Sequence, residues 1–258
     1  MQSNLKEALA DQLTAMADDE LVLGHRNSEW CGYAPILEED IAFANIALDE
    51  IGHAAIWYTL MAELLGKDRE SYTDEQVYRR NAVDFHNVQF VELPKGDWAL
   101  SIMRQYLFDL AEMIRLESLV YSQYPPLAAA GEKIRREEIY HQRHSRAWVQ
   151  RLGMGTNESK QRMQTALAEL WPYAYQLFAP LPGEAGLVKA GYFPATARLQ
   201  QSWDKQAREF LEACELNTPK NTLGDDFVSQ TRNQHTPHLI VLVNELQSVA
   251  REDPVGIW

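Results

Sequence analysis

The 258-residue sequence predicts an all-α fold, and three observations support that prediction. Apolar residues recur at intervals of three, four and seven along most of the chain, and the alternating pattern of a strand is scarce. Two prolines separate the third and fourth predicted helices, whereas about thirty residues, 67–96, separate the second and third. A four-helix bundle with one long crossover is the ferritin-like arrangement, and the later helices are expected to pack outside it.

The element boundaries follow from the apolar pattern and from its stop signals. Gly66 closes the second helix, Pro125 and Pro126 stop the third, and Gly153 is the expected C-cap of the fourth. The segments 179–194 and 217–235 are predicted as loops. We expect one ferritin-like domain over 1–258, with the bundle at about 4–152 and accessory helices at about 157–251. The predicted helices are 4–25, 38–66, 97–123, 127–152, 157–178, 195–214 and 236–251.

The composition narrows the class of protein and its surroundings. Acidic residues number 37 against 24 Lys and Arg, the formal net charge is −13, and the sequence pI is about 5.0. No basic run is present, so neither nucleic acid nor a membrane is expected as a partner, since nucleic acids and anionic membranes are bound through clustered Lys and Arg. Two distant cysteines, an N-terminus without a signal-peptide layout and no apolar stretch near twenty residues predict a cytoplasmic protein.

Two Glu-x-x-His pairs form the main chemical motif: Glu50 with His53, and Glu138 with His141. Residues three apart share one face of a helix, so each pair can present a carboxylate and an imidazole to the same point. One such pair alone is usually an ordinary surface pair. Both pairs here interrupt an apolar stripe, however, and a carboxylate buried on such a stripe needs a compensating cation. The two pairs therefore indicate metal ligands.

The helix before each pair carries one further carboxylate on its apolar stripe, Glu20 in the first helix and Glu112 in the third. One Glu from each of two helices and a Glu-x-x-His from each of the other two is the ligand pattern of di-iron carboxylate proteins. Carboxylates and imidazoles suit iron and leave positions open for dioxygen. Two iron ions are therefore the predicted cofactor, and dioxygen is the predicted co-substrate. The predicted ligands are Glu20, Glu50, His53, Glu112, Glu138 and His141.

Other polar residues near these positions have different predicted roles. Asp49 and Glu137 directly precede ligand glutamates and are candidate acceptors for the N–H of the histidine on the opposite helix. Asp18 and Asp19 lie off the apolar stripe that contains Glu20, so Glu20 is the preferred ligand. His144 is expected at the surface; the alternative is a position in contact with the ligand side chains. The side chains expected to be solvated or ordinary polar residues are Glu117, His25, His86, His235 and His238.

Several segments of the sequence resemble a known family. They are EWCGYAP at 29–35, LEEDIAFANIALDEIGHA at 37–54, RQYLFD at 104–109 and SRAWVQRLGMGT at 145–156. These phrases resemble the smaller ferritin-like subunit family of the bacterial phenylacetyl-CoA epoxidase, the multicomponent oxygenase of phenylacetate degradation. The resemblance extends from residue 21 to residue 258 and implies a ferritin-like fold and a role in aromatic catabolism.

The resemblance also implies partners and a division of labour. In that family one ferritin-like subunit binds the di-iron centre and the CoA thioester and epoxidises the aromatic ring. The smaller subunit pairs with it as a structural partner whose metal ligands have been lost. Electrons come from a separate flavin and iron–sulfur reductase. The implied partners are a homologous ferritin-like subunit or a second copy of the chain, the reductase, and a small organic or CoA-thioester substrate.

This sequence departs from the smaller subunit in one respect, because all six predicted ligands are present. Two functions are therefore expected as alternatives. The first is a di-iron oxygenase or oxidase, acting in phenylacetate catabolism or alone on another substrate. The second is a non-catalytic structural partner with a relic metal site. Iron storage fits less well, since ferritins assemble from shorter chains and about a hundred residues here lie beyond the bundle.

Overall fold

The computed structural model describes residues 2–220, 228 and 231–253. Every regular element in these ranges is helical, which confirms the all-α fold class. None of the helices described there is long and apolar enough to span a bilayer. The α-helices in these ranges are α1 (Ser3–Ser28), α2 (Leu37–Leu65), α3 (Arg69–Tyr78), α4 (Gln89–Glu92), α5 (Trp98–Leu119), α6 (Pro125–Gly153), α7 (Asn157–Ala174), α8 (Glu184–Lys189), α9 (Thr196–Ala213), α10 (Pro237–Leu246) and α11 (Ser248–Glu252).

The order of the elements is ferritin-like: a helical hairpin, a long connection, a second hairpin and further helices. The connection contains α3, α4 and a short 3₁₀ helix at Ala82–Asp84. Four predicted boundaries differ in detail. The helix predicted at 97–123 ends at Leu119, and Pro125 and Pro126, which were predicted to stop it, lie in the first turn of α6. The helix predicted at 157–178 finishes as a 3₁₀ turn at Tyr175–Phe178, the predicted loop 179–194 contains α8, and the last predicted helix is divided into α10 and α11. Of the predicted loop 217–235, residues 221–227 and 229–230 lie outside the described residues.

The contacts of the chain divide it into two compact units, Met1–Pro94 with Thr231–Trp258, and Lys95–Gln230. The first unit contains the α1–α2 hairpin. The hydroxyl of Thr14 contacts the sulfur of Met61 at 2.8 Å, and Asp18 pairs with Tyr58. The residue numbers rise along α1 as they fall along α2, so the two helices pack antiparallel. Gly66 ends α2 in the left-handed conformation, at φ 72°, which fits the predicted C-terminal stop. The assignment of the whole chain to one domain stays a prediction.

The second unit contains the α5–α6 hairpin. The carboxylate of Asp97 caps α5 by accepting the N–H of Leu100 at 2.9 Å, and Pro125 occupies the first turn of α6, where its missing N–H costs nothing. All residues from 99 to 116 are buried, so α5 is a core helix on every face. Trp203 of α9 is fully buried and donates its indole N–H to the carbonyl of Leu107 at 3.0 Å, which attaches α9 to α5.

Candidate metal centre

Three predicted ligands converge in the first unit. Glu20 lies on α1, and Glu50 and His53 lie one turn apart on α2; one donor atom from each lies within 4.8 Å of the others. The Nδ1 atom of His53 is 3.8 Å from Glu20 Oε2 and 3.9 Å from Glu50 Oε2. All three side chains are at most 1% exposed. The hairpin therefore places two carboxylates and one imidazole around one buried point.

Close approach of the two helices produces this convergence. A Cβ added to Gly24 on α1 would lie 2.9 Å from the carbonyl oxygen of Ala47 and 3.1 Å from the Cβ of Glu50. Real Cβ atoms do not come that near a backbone oxygen, so glycine permits the helix spacing at this level. Gly24 lies one turn after Glu20, and Ala47 lies one turn before Glu50. The absence of a side chain at Gly24 therefore lets α1 and α2 come close enough for their ligands to converge.

Asp18, two residues before Glu20, is held by groups from outside α1. Its carboxylate is fully buried and accepts hydrogen bonds from Arg80 at 2.9 Å and from the backbone N–H of His86 at 2.6 Å. The hydroxyl of Tyr58 also donates to it. Burial, and then the charge of Asp18, raise the pKa of Tyr58 well above its usual value, so the hydroxyl stays protonated and remains a donor.

Asp19 is held in a similar way by the C-terminal part of the first unit and by the connection that precedes α5. Arg232 donates to Asp19 Oδ2 at 2.9 Å, and the N–H of Val88 donates to Asp19 Oδ1 at 2.8 Å. Both acidic residues beside Glu20 are therefore engaged by arginines and backbone amides. Both aspartates are fully buried, and the choice of Glu20 over Asp18 and Asp19 as a ligand stays a prediction.

The second unit contains the other three predicted ligands, all buried. On α6, His141 Nδ1 lies 2.8 Å from Glu138 Oε1, so the second Glu-x-x-His pair presents both groups from one face as predicted. Glu112 on α5 forms an ion pair with the guanidinium of Arg115, one turn further along the same helix. Arg115 is itself buried, with a side chain 5% exposed. The sequence interpretation did not include this arginine.

Two further polar groups lie one turn from these ligands. Asp109 precedes Glu112 on α5 and accepts hydrogen bonds from Ser145 at 2.6 Å and from Gln105 at 2.6 Å. Ser145 lies one turn after His141 on α6, and its side chain is fully buried. The hydrogen bond between Ser145 and Asp109 therefore sets the register of α5 against α6 at the level of the predicted ligands.

The remaining candidates occupy different environments. Asp49 and Glu137 are half-buried, each one residue before a predicted ligand, and their role as acceptors for an opposite histidine stays a prediction. Glu117 is exposed, as predicted. His144 is half-buried and stacks on the ring of Tyr140, with ring centroids 6.3 Å apart.

His235 has a larger structural role than the sequence suggested. Its Nδ1 lies 2.6 Å from Glu92 Oε1, and its Nε2 lies 2.8 Å from the carbonyl oxygen of Phe85. Both ring nitrogens face acceptors, which requires the doubly protonated imidazolium. Burial alone would lower the pKa of His235, but the hydrogen bond and the charge of Glu92 outweigh it and raise that pKa.

The donor chemistry in the first unit fits a transition metal. Two carboxylates and an imidazole are oxygen and nitrogen donors of the kind that bind iron, and burying two carboxylates favours a cation beside them. In the second unit the donor types also fit, but Arg115 already places a positive charge on Glu112. Sequence spacing selected these candidate donors because each Glu-x-x-His pair shares one helical face. The arginines that bind Asp18 and Asp19 are 62 and 213 residues away along the chain, so no local pattern could reveal them.

The helix order and the buried carboxylate and histidine donors define a ferritin-like protein with a candidate metal centre. The chain belongs to the family described as phenylacetic acid catabolic protein, whose model matches residues 1–258. It is 35% identical over 252 residues to the C subunit of 1,2-phenylacetyl-CoA epoxidase from Escherichia coli strain K12, a match that covers 96% of this chain and 100% of the relative. It is 28% identical over 175 residues to the A subunit of that enzyme, which covers 68% of this chain and 55% of the relative. The resemblance inferred from the sequence is confirmed.

Proposed function

We propose that this chain is a ferritin-like subunit of a phenylacetyl-CoA epoxidase type of oxygenase and that it holds iron. The observation that carries the proposal is the buried convergence of Glu20, Glu50 and His53. In the full proposal, Glu112, Glu138 and His141 supply the second half of a di-iron site. Family membership and the names of the two relatives support the oxygenase assignment and phenylacetate catabolism.

The protein residues have distinct roles in this proposal. The four glutamates would neutralise the charge of two ferrous ions, and His53 and His141 would supply nitrogen ligands. Asp49 and Glu137 orient the imidazoles by accepting their second N–H. The apolar walls of the core helices exclude water from the site. When bound, two ferrous ions supply the redox chemistry that activates dioxygen, with electrons from a flavin and iron–sulfur reductase.

Metal binding is the first test. The purified chain is stripped with a chelator and titrated anaerobically with Fe(II), and bound iron is measured by elemental analysis after dialysis. We expect the wild type to retain iron and His53→Ala to lose it. His238→Ala is the matched control, because His238 is exposed and was not predicted as a ligand. A wild-type chain that retains no iron would refute the proposed site.

Turnover decides between catalysis and support. The complete enzyme is reconstituted with the reductase and a homologous ferritin-like subunit, and consumption of phenylacetyl-CoA and dioxygen is measured. If this chain is the catalytic subunit, Glu138→Ala abolishes turnover. Unchanged turnover in this variant, with normal assembly, assigns the chain a supporting role and leaves its metal site structural.

The exposed side of α2 favours membership of an assembly. Leu37, Ile41, Leu48 and Ile51 are 73%, 57%, 66% and 37% exposed, at spacings of four, seven and three residues along that side. A contiguous apolar helix face of this kind marks a protein interface more often than a solvated surface. We call it the α2 face.

The charges around the α2 face indicate its occupant. Residues 27–66 contain no Lys or Arg, and Glu38, Asp40 and Asp49 lie near the apolar residues. A second copy of α2 would place acidic groups against acidic groups. The exposed side of α6 is a poor match as well, since Lys133, Arg136 and Arg143 would be desolvated against leucines. We therefore infer a homologous ferritin-like subunit that presents an apolar helix with basic flanking residues.

Two equally exposed apolar residues, one on the α2 face and one outside it, allow a matched test of this interface. Leu48 on α2 and Val241 on α10 are both 66% exposed. Binding to the A subunit of the E. coli enzyme is measured by titration calorimetry. We expect Leu48→Glu to weaken binding by at least about tenfold, because a charge would be buried at the contact, and Val241→Glu to leave it unchanged. Equal behaviour of the two variants would contradict the assignment, and a self-association removed by Leu48→Glu would indicate a second copy instead.

A further inference from the structure

Arg115 makes the two halves of the predicted ligand set unequal. Its guanidinium forms an ion pair with Glu112 inside the second unit, and the two side chains are 5% and 1% exposed. Nη2 of the same guanidinium lies 3.5 Å from the carbonyl oxygen of Leu177. A buried arginine is thus attached to the very carboxylate that the sequence pattern assigns to a metal ion.

The first unit has a different arrangement. There His53 Nδ1 is 3.8 and 3.9 Å from the two carboxylates, spacings too long for hydrogen bonds and short enough for one ion to contact all three donors. Among the described residues, Glu112 belongs to no cluster of three donors with this spacing. Glu20, Glu50 and His53 are therefore already arranged for an ion, whereas Glu112 is turned toward an internal cation.

The chemistry of arginine makes this difference consequential. A guanidinium keeps its charge at all ordinary pH values, so Arg115 cannot release Glu112 by losing a proton. Arg115 contacts Oε2 of Glu112. A metal ion that uses Glu112 therefore either displaces this buried ion pair or shares the carboxylate and lies close to the guanidinium charge, and both are costly. This cost applies to the ion that uses Glu112.

We infer that Arg115 competes with a metal ion for Glu112, so that the chain binds its two ions in sequence and with unequal affinity. The first ion binds at Glu20, Glu50 and His53. The second binds more weakly, at a site that includes Glu112, Glu138 and His141, because Arg115 holds Glu112 and its charge opposes the ion. This inference rests on the proposed metal site and adds the order in which that site is filled.

Cobalt(II) is a suitable probe, because it replaces iron in such sites without oxidation and its visible absorption reports the ligand environment. Binding of Co(II) to the metal-free chain is followed by absorption and by equilibrium dialysis. We expect the wild type to show two dissociation constants that differ by at least about tenfold. In Arg115→Met we expect the first dissociation constant to stay the same. The second dissociation constant should become smaller by at least about tenfold, so the affinities of the two sites converge.

Control variants separate competition from a loss of structure. Arg146 also lies in the second unit, where its guanidinium is 3.9 Å from the ring centroid of Phe210, and Arg146→Met is expected to bind Co(II) like the wild type. Glu112→Gln is expected to keep the first ion and lose the second. Circular dichroism checks the folding of each variant, and Arg115→Gln, which also removes the charge, replaces Arg115→Met if the latter does not fold.

The outcomes distinguish this inference from the proposed function. A wild-type chain that binds no Co(II) or Fe(II) contradicts the metal site itself. Two ions bound with equal affinity by the wild type, or a weaker constant that the Arg115 variants leave unchanged, overturn the competition while the site stands. A first constant that changes as much as the second would assign Arg115 a general structural role and also overturn it.

Discussion

The guanidinium of Arg80 binds the carboxylate of Asp18 across 62 positions of the chain, at 2.9 Å between Nη1 and Oδ2. Asp18 is fully buried two residues before Glu20, and Arg80 lies after α3 in the connection between the two hairpins. Arg80 also lies 4.2 Å from the ring centroid of Phe85. The long connection is therefore joined to α1 beside a predicted ligand, and this contact orients the helix that carries Glu20.

Arg80→Met is expected to destabilise the protein by about 3 kcal/mol, because it leaves a buried carboxylate without its cation. The free energy of unfolding is measured by urea denaturation. The double variant with Asp18→Asn should lose less than the two single variants added together, since it removes both charges. Additive losses would show that the pair does not stabilise the fold. Arg136→Met is the control, because its salt bridge with Glu132 is 3.3 Å long and exposed.

Substitution by alanine is expected to have opposite effects on stability at two glycines. Gly24→Ala places a methyl group 2.9 Å from the carbonyl oxygen of Ala47, so α1 and α2 have to separate, at a cost of about 1–3 kcal/mol. Gly52→Ala in the middle of α2 meets open space and should stabilise the helix by about 0.5–1 kcal/mol. Thermal unfolding of the two variants provides the comparison. A neutral Gly24→Ala would mean that this close approach does not set the helix spacing.

His235 makes stability depend on pH. The folded state raises its pKa above the unfolded value of about 6.5, so its protonated form stabilises the fold fully below that pH. This stabilisation is lost as the pH rises through the folded pKa. The difference in free energy of unfolding between the wild type and His235→Gln should therefore be larger at about pH 6 than at about pH 9. A pH-independent difference would contradict the imidazolium; exposed His238→Gln should show no such trend.

Trp203 provides a test of how α9 is attached to α5. Trp203→Phe removes the hydrogen bond from the indole N–H to the carbonyl of Leu107 and leaves that buried oxygen with one donor fewer. We expect a loss of about 1–3 kcal/mol in the free energy of unfolding. Trp148→Phe on α6 is the comparison, because Trp148 is only half-buried. An equal loss in both variants would show that ring size, and not the hydrogen bond, determines the effect.

The sequence by itself determined the features that depend on local periodicity. The apolar spacing predicted the long helices to within a few residues, and the length of the connection after α2 predicted the ferritin-like order. The placement of Glu50 and His53, and of Glu138 and His141, on single buried faces also follows from a spacing of three, since a helix fixes which residues share a face. Short helices such as α8 were missed because six residues are too few to show a helical period.

The tertiary structure decided which partner each buried charge has. Arg80 and Arg232 reach Asp18 and Asp19 from distant parts of the chain, and the burial of α1 on every side near Glu20 could not be predicted from one apolar stripe. Arg115 lies only three residues from Glu112, yet the sequence could not show that its side chain points into the core and not into solvent. A local pattern predicts the direction in which a side chain points from the helix axis. The charged group that contacts a buried carboxylate depends instead on packing between segments far apart in the chain.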